Sequence, residues 1–207
     1  MKPQGVLLVL SGPSGAGKGT ICHKLREKRN DLSYSVSATT RAPRKGEVDG
    51  KDYFFITIDR FKEMIANDEM LEYAEIYGNY YGTPKPYVMD ILGHGKDVVL
   101  EIDPQGALQI KKHFPDAVFV FIVPPSLDEL TKRIYNRGTD SEEVIKRRLS
   151  AATSELEYAS KYDYIIVNDE VEKATNKVSN IIDAERNRAV RTFFIVNKIC
   201  QNGICEE

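Results

Sequence analysis

Residues 6–20 decide the fold of this chain: Val6-Leu7-Leu8-Val9-Leu10-Ser11-Gly12-Pro13-Ser14-Gly15-Ala16-Gly17-Lys18-Gly19-Thr20. The apolar run predicts a buried strand, and the glycine-rich segment after it leads into a helix-compatible stretch. A strand, a G-x-x-x-x-G-K loop and a helix start form the context in which such a loop binds phosphate. The glycines let successive N–H groups point at one anion, the helix N-terminus adds its dipole, and Lys18 adds a point charge. A chance glycine turn is the alternative, and the flanking strand and helix argue against it.

The composition limits the class of protein. A chain of 207 residues suffices for one α/β domain with an inserted subdomain, but not for two ordinary domains. The net charge of −2 provides no basic field for nucleic acid, and no apolar run is long enough to span a membrane. No signal-like segment precedes Val6, so we expect a cytoplasmic protein. The three cysteines lack metal-ligand spacing, which favours a buried thiol at Cys22 and no disulfide between Cys200 and Cys205.

Apolar runs alternate with helical stretches, which predicts an α/β fold built on a parallel sheet flanked by helices. Buried strands are predicted at residues 6–10, 98–102, 118–123 and 164–167. The clearest helix is predicted to begin at Ser126, which forms a capping box with Glu129, and to end at Gly138. Further helices are predicted at 141–159 and from 169 to beyond 182.

Residues 34–87 have a different pattern. Short strand-like segments surround a short helix, and seven of the eleven tyrosines fall in this region. We therefore predict a small mixed α+β insertion after the first helix, with strands at 34–37, 53–58, 72–77 and 79–82 and a helix at 59–66. In the tail, the apolar stretch 192–196 predicts a packed terminal helix or strand, with an oligomer contact as the alternative.

Two arginines in this insertion are candidates for binding a second anion. Pro43 disfavours a helical conformation at Ala42, so Arg41 and Arg44 are expected on a loop. Two guanidinium groups beside the Tyr53 hydroxyl would clamp an anion the size of a monophosphate. A solvated basic loop is the alternative, and the presence of a phosphate loop in the same chain favours the clamp.

A set of acidic side chains is suited to reading a nucleobase. Glu101 and Asp103 end a predicted strand on one face, at the sheet edge where open parallel sheets bind ligands, and a carboxylate there could also hold Mg²⁺ through water. Guanine has N1–H and N2–H₂ donors beside its O6 acceptor. The carboxylates of Glu72 and Asp103 would match those donors, and Ser37 or Thr83 could donate to O6. Adenine has the opposite pattern, so the acids favour guanine, although each could instead cap a helix or turn.

Three arginines lie in the predicted helices after residue 125. Arg133 and Arg137 are four residues apart and share a helix face, and Arg148 lies in the following helix. Converging arginines can offset the charge that spreads over a transferring phosphoryl group. A surface helix with salt bridges, for example to Glu129, is the alternative.

With these residues together, the chain resembles guanylate kinase, the family that phosphorylates GMP with ATP. The resemblance runs from the first strand to about residue 185 and is strongest at 35–44 (SVSATTRAPR), 46–53 (GEVDGKDY), 78–82 (GNYYG), 101–106 (EIDPQG) and 166–169 (IVND). It implies a single P-loop NTPase domain with a parallel sheet core. The implied parts are a core at 1–35, 90–125 and 150–190, a GMP-binding insertion at 36–89, a helical lid at 126–149 and a tail at 191–207.

The resemblance also implies a role for each matching residue. ATP would be bound by Gly12, Pro13, Ser14, Gly15, Ala16, Gly17, Lys18, Gly19 and Thr20, with Arg133, Arg137 and Asn168. The GMP phosphate would be bound by Arg41, Arg44, Tyr53 and Tyr81, and the guanine by Ser37, Glu72, Thr83 and Asp103, with Glu101 beside them. The residues expected to be catalytic are Lys18, Arg41, Arg137 and Arg148.

The loop departs from the family pattern at one position that concerns the metal. The family usually has Ser after the loop lysine, whereas this chain has Gly19. We expect Mg²⁺ to accompany ATP and to be held by the nucleotide phosphates and water, with Thr20 contributing.

The expected partners are ATP and GMP, with dGMP as a further substrate, and neither nucleic acid nor a membrane. We expect a monomer or weak homodimer. Two alternatives remain at this point. Adenylate kinases also have Gly-Lys-Gly-Thr in this loop, which suggests a kinase for another nucleoside monophosphate. The other is a guanylate-kinase-like scaffold domain, which typically lacks the loop lysine or glycines.

Overall fold

The computed structural model describes residues 5–44, 46–76, 78–135 and 142–202. The strands are β1 (Leu7–Ser11), β2 (Leu32–Tyr34), β3 (Ala38–Thr39), β4 (Phe54–Phe55), β5 (Met70–Ile76), β6 (Asn79–Pro84), β7 (Asp97–Glu101), β8 (Val118–Val123) and β9 (Tyr164–Val167). The helices are α1 (Lys18–Lys28), α2 (Ile58–Ala66), α3 (Lys85–Gly93), α4 (Pro104–His113), α5 (Leu127–Tyr135), α6 (Glu142–Leu156), α7 (Val171–Arg186) and α8 (Ala189–Asn202), with a short 3₁₀ helix at Glu157–Lys161.

The centre of the molecule is a five-stranded sheet in the order β2-β7-β1-β8-β9, with every neighbouring pair parallel. Both faces of this sheet are covered. One apolar layer joins Leu8 and Leu10 to residues of α1 and α7, and the other joins Val9 and Leu100 to residues of α3 and α4. Helices on both faces explain why the central strands are continuous apolar runs. The predicted α/β class is confirmed, and the four predicted strands lie within one residue of their expected positions.

The two edges of this sheet differ from the prediction. The sequence predicted a strand at 34–37 within the insertion. Instead β2 ends at Tyr34 and pairs with β7 at one edge of the main sheet, and β3 begins the small sheet. At the other edge, β9 is not fully buried, since the side chain of Ile165 is 56% exposed. Ile166 packs into the layer with α1 and α7, whereas Ile165 and Val167 point to the opposite face of the sheet and remain exposed.

The insertion forms a second sheet in the order β4-β3-β6-β5. Strand β3 is parallel to β4, and the other two pairs are antiparallel. Helix α2, predicted at 59–66, covers this sheet with Phe61, which packs against Ala38 and Met70 and stacks on the ring of Tyr80. Met70 is the first residue of β5, and the residue after it, Leu71, packs instead into the apolar layer of the main sheet. Strand β5 therefore contributes to both cores.

The predicted helices after residue 125 are present in the described part of the chain. Helix α5 follows Ser126, whose Oγ accepts a hydrogen bond from the Glu129 amide at 3.1 Å. The Glu129 side chain accepts instead from Arg133, so half of the predicted capping box forms. The predicted end of this helix, with Arg137 and Gly138, lies outside the described residues.

The tail forms a helix rather than a strand. Helix α8 exposes Val190, Phe193 and Ile199. Within the described ranges, no helix has the length and apolarity needed to cross a bilayer. Cys22 is a buried free thiol, as predicted, and Cys200 is exposed on α8, whereas Cys205 lies outside the described residues.

Candidate active site

The glycine-rich segment forms a tight loop between β1 and α1. Gly12 has φ of 140°, and a Cβ there would lie 2.2 Å from the carbonyl oxygen of Ile122 on β8. Gly17 has φ of 92°, and a Cβ there would lie 2.3 Å from the side-chain nitrogen of Asn168. Both positions combine a left-handed conformation with a close neighbour, so only glycine fits the loop at these two points.

Lys18 is folded across this loop. Its ammonium group donates to the carbonyl oxygens of Gly12 and of Pro13, the latter at 3.2 Å. These are weak neutral acceptors compared with a phosphate oxygen. The side chain therefore places its charge at the mouth of a loop that is built for an anion.

Two residues outside the loop hold it in place. Asn168, which follows β9, donates from its side-chain amide to the carbonyl oxygen of Ala16 at 2.8 Å. Arg133 on α5 donates to the backbone oxygen of Asn168 at 3.0 Å and to the carboxylate of Glu129 at 2.9 Å. Asn168 thus contacts the loop directly, and Arg133 holds the backbone of Asn168 in place.

A carboxylate from the end of α6 also reaches the loop. The backbone N–H of Ser14 donates to Oε2 of Glu155 at 3.2 Å. Burial raises the pKa of the Glu155 carboxyl, and Asp103 raises it further. This contact was not predicted, because no local pattern relates residues that are 141 positions apart.

The phosphate loop opens into a cleft of about 620 Å³. Its far wall comes from the insertion and its floor from the end of β7. The predicted site residues outside the loop that line it are Ser37, Arg44, Tyr53, Glu72, Tyr81, Glu101 and Asp103.

Arg41 and Arg44 are organised by a carboxylate that the sequence analysis missed. The guanidinium of Arg41 donates to both carboxylate oxygens of Glu47, at 2.9 and 3.0 Å, and the amide of Arg44 donates to the same group at 2.7 Å. The charge of Arg41 also lies 5.5 Å from the ring centroid of Tyr53. Burial raises the pKa of Tyr53, and Glu101 adds to this, so its hydroxyl remains a donor. The available signal was Glu47 itself, an acid three residues after Arg44.

Glu72 is a buried acid with one polar neighbour on the next strand. It lies opposite Thr83 in the antiparallel pairing of β5 and β6, and the Thr83 hydroxyl donates to its Oε1 at 2.7 Å. The pairing register shifts between Met70 and Glu72, a β-bulge of the kind that re-aims a side chain. The pKa of Glu72 is raised to about 7, chiefly by burial, with the Thr83 hydrogen bond opposing the shift and the Asp103 charge adding to it.

Glu101 faces the start of α1. A Cβ on Gly19 would lie 3.4 Å from Oε1 of Glu101, which is ordinary contact distance. Burial raises the pKa of Glu101, and the nearby Lys18 opposes that shift. Gly19 therefore leaves room beside a carboxylate at the position where a serine is expected.

Comparison with known proteins agrees with this geometry. Residues 4–185 match the family model described as guanylate kinase. The chain belongs to the guanylate kinase family. It is a kinase with GMP and ATP as its substrates, and the predicted resemblance is confirmed.

Similar proteins extend over almost the whole chain. A guanylate kinase of Caldanaerobacter subterraneus subsp. tengcongensis is 54% identical over 204 residues, covering 99% of this chain and 99% of that protein. A guanylate kinase of Lactococcus lactis is 58% identical over 191 residues, covering 92% and 93%. Among solved structures, guanylate kinase from Anaplasma phagocytophilum aligns with a TM-score of 0.78 at 38% identity, covering 92% of this chain and 91% of that one.

Not every residue expected from the guanylate kinase pattern lines the cleft. Thr83 is buried behind Glu72, and Asn168 is buried beneath the phosphate loop. Arg137 and the side chain of Arg148 lie outside the described part of the chain. The expected roles of these residues stay predictions.

Proposed function

We propose that the two substrates of this guanylate kinase bind on opposite sides of the cleft, with ATP on the phosphate loop and GMP on the insertion. The observation that supports this proposal is a single cleft lined by Lys18 and its loop on one side, by Arg44, Tyr53 and Tyr81 of the insertion on the other, and by the carboxylates of Glu72 and Asp103. The reaction would then serve guanine nucleotide metabolism, and we propose that the protein is cytoplasmic. We further propose a monomer or weak homodimer, with the exposed apolar residues of α8 as the contact surface of the homodimer, and no nucleic acid or membrane partner.

On the donor side, the loop amides and Lys18 would bind the phosphates of ATP. Among the described residues, the ammonium group of Lys18 donates to two neutral carbonyls, and a phosphate oxygen would replace them as a better partner. The carboxylate of Glu155 on the Ser14 amide would have to withdraw, because two anions cannot share one donor site. Asn168 and Arg133 would keep the loop in shape during this exchange.

On the acceptor side, Arg41, Arg44, Tyr53 and Tyr81 would bind the phosphate of GMP. The rings of Tyr53 and Tyr81 lie 6.1 Å apart in an edge-on arrangement beside Arg41. Glu47 holds the Arg41 guanidinium in a fixed orientation before substrate arrives. Preorganisation of this kind lowers the cost of binding a second anion close to the first.

Guanine would be read by Glu72 and Asp103, with the Ser37 hydroxyl in the same cleft and the buried Thr83 acting through its hydrogen bond to Glu72. A carboxylate has only acceptors, so the ionised form of Glu72 suits the N1–H and N2–H₂ edge of guanine. Thr83 already occupies one of its oxygens, which leaves the other for the base. dGMP has the same base and is a proposed further substrate.

Mg²⁺ would accompany ATP and would neutralise part of the charge of its phosphates. The hard oxygen donors near the loop, the Thr20 hydroxyl and the Glu101 carboxylate, are the type of ligand that Mg²⁺ accepts directly or through water. Because Gly19 has no side chain, the Glu101 carboxylate beside it is not covered on that side, which is compatible with a water-mediated contact. Among the described residues, no group of three or more His, Cys, Asp or Glu is placed to hold a metal.

The protein's part in the transfer is positioning and charge compensation. It must bring a phosphate oxygen of GMP into line with the γ-phosphorus of ATP and exclude water, which would otherwise accept the phosphoryl group. We propose that the insertion at 36–89 and the lid at 126–149 close over the substrates for this purpose. Arg133, Arg137 and Arg148 would then offset the charge on the transferring group.

A substrate panel tests this assignment. We expect ADP release with ATP, Mg²⁺ and GMP or dGMP, and little with AMP, UMP or CMP, because only guanine presents two donors to the acidic set. Turnover with AMP in preference to GMP would contradict the guanine assignment. GMP binding without any turnover would favour a binding domain over an enzyme.

The pKa of Glu72 gives the acceptor side a pH dependence. Its folded pKa of about 7 means that the carboxyl is largely protonated at pH 6 and largely ionised at pH 8. We expect the KM for GMP to rise about tenfold as the pH falls from about 8 to about 6. The phosphate of GMP also titrates near pH 6, so the same profile is measured with Glu72→Gln. A wild-type profile parallel to that of the variant would exclude Glu72 as the titrating group.

A further inference from the structure

The start of helix α4 lies against strand β5, which carries Glu72. Asp103 precedes the helix, and Gly106 and Gln109 follow it at intervals of three residues, so Gly106 and Gln109 are neighbours on the helix surface. Asp103 precedes the first turn in an extended conformation, with φ of −75° and ψ of 159°, and its side chain makes no cap hydrogen bond. Its carboxylate is therefore not used by the helix. Gly106 and Gln109 both contact β5.

Gly106 lies against the carboxylate of Glu72. A Cβ added there would lie 2.3 Å from Oε2 and 3.0 Å from Cδ of Glu72. Gly106 is buried in the first turn of α4 and needs no left-handed conformation. Alanine is the better helix former at such a position. Glycine at position 106 therefore leaves free the space that the Glu72 carboxylate occupies.

Gln109 fixes the strand that carries Glu72. Its side-chain amide accepts from the Tyr73 amide at 3.2 Å and donates to the Tyr73 carbonyl at 2.8 Å. Strand β5 is at the edge of the small sheet, so Gln109 supplies one step of the pairing that a further strand would give. Tyr73 is the residue next to Glu72. The pair of hydrogen bonds therefore acts directly beside the carboxylate.

We propose that Gly106 and Gln109 are positioning residues for guanine selection. Gly106 leaves the space for the Glu72 carboxylate, and Gln109 ties β5 to the helix that begins at Asp103. Glu72 lies on strand β5 and Asp103 at the N-terminus of α4, so the packing of α4 against β5 sets the distance between the two acids. The inference rests on the proposed role of Glu72 in binding guanine.

Two variants test the proposal through the KM for GMP, with the KM for ATP as the internal reference. Gly106→Ala is expected to raise the KM for GMP about tenfold or more, because the carboxylate must move and its bonds to the base are lost. Gln109→Leu, which loses both bonds to Tyr73, is expected to raise it about 3- to 10-fold. The KM for ATP stays at the wild-type value in both, since the phosphate loop is not touched.

Matched controls are available on α3 and on α4 itself. Gly93→Ala at the end of α3 adds a Cβ that meets nothing within 4 Å. Gln105→Leu removes an exposed glutamine from the same helix. Both controls should keep wild-type KM values for GMP and for ATP. Equal rises in the two KM values of Gln109→Leu would indicate a general structural defect and overturn the proposal.

A Glu72→Ala background separates this inference from the proposed function. If Gly106 acts through Glu72, adding Gly106→Ala to Glu72→Ala changes the KM for GMP no further and raises Tm, since alanine favours the helix. A wild-type KM for GMP in Glu72→Ala alone would overturn the guanine-binding role itself. A raised KM in Glu72→Ala, with wild-type values in Gly106→Ala and Gln109→Leu, would overturn only the positioning roles. Should Gly106→Ala not fold, Gln109→Leu decides, because the Gln109 side chain is only partly buried.

Discussion

Replacing Lys18 with alanine is expected to lower kcat by on the order of 10³-fold, the largest effect of any single change in this chain. The ammonium group is the only charge that the phosphate loop itself brings to the phosphates, and the loop's other donors are neutral amides. Its present partners, the carbonyls of Gly12 and Pro13, contribute little to folding. Loss of about 1 kcal/mol would shift Tm by about 2–4 °C in a chain of this size.

Steady-state kinetics and thermal unfolding measure the two halves of this expectation. Lys24→Ala is the matched control, since Lys24 lies on the same helix and pairs with the exposed Glu27 at 2.9 Å. It should retain wild-type kcat. A Lys18→Ala enzyme with a near-normal rate would contradict the role given to this residue, and one that is inactive because it is unfolded would place Lys18 in the fold instead.

Replacing Glu72 with glutamine is expected to weaken GMP binding and stabilise the free protein at once. The amide exchanges an acceptor for a donor that faces the donors of guanine, so the KM for GMP should rise about 10- to 100-fold. Stability moves the other way. The folded pKa of about 7 lies above the ordinary value of 4.5, so wild-type stability is full below pH 4.5 and declines as the pH rises through 7.

The size of the stability change follows from that shift. Keeping this carboxylate ionised in the fold costs about 3 kcal/mol at pH 8, and glutamine removes the cost while retaining an acceptor for the Thr83 hydroxyl. Denaturant unfolding of both proteins at about pH 8 and about pH 4.5 measures the difference. Glu75→Gln, an exposed acid on the same strand, should be neutral in both assays. A destabilised Glu72→Gln protein at the higher pH would refute the burial argument.

The sequence predicted the main sheet well because its strands are contiguous apolar runs. It predicted the phosphate loop for a similar reason, since glycine spacing and its flanks are local features. The small sheet was harder. Strand β3 has only two residues and β2 three, and neither is long enough to show a period. The boundary between the two sheets was therefore placed inside one predicted strand.

The supporting contacts of the site could not be predicted from local pattern. Glu155 reaches the loop amide from another helix, and Gln109 pairs with a strand 36 positions earlier. Gly106 carries a weak signal, as a glycine where helix propensity favours alanine, but its neighbour Glu72 is visible only in three dimensions. Residues that bind substrate had recognisable chemistry, whereas residues that hold them depend on tertiary packing.

Met70 packs in the core of the small sheet, and Leu71 packs in the core of the main sheet. The segment that recognises the base therefore cannot be exchanged between enzymes on its own. A chimera that exchanged residues 36–89 for those of a relative would import Glu72 but retain the resident α4 that fits it. The β5 strand of the relative would then pack against an α4 helix that fits a different strand surface. A chimera that keeps base recognition would therefore have to exchange two separate segments together, residues 36–89 and residues 103–109.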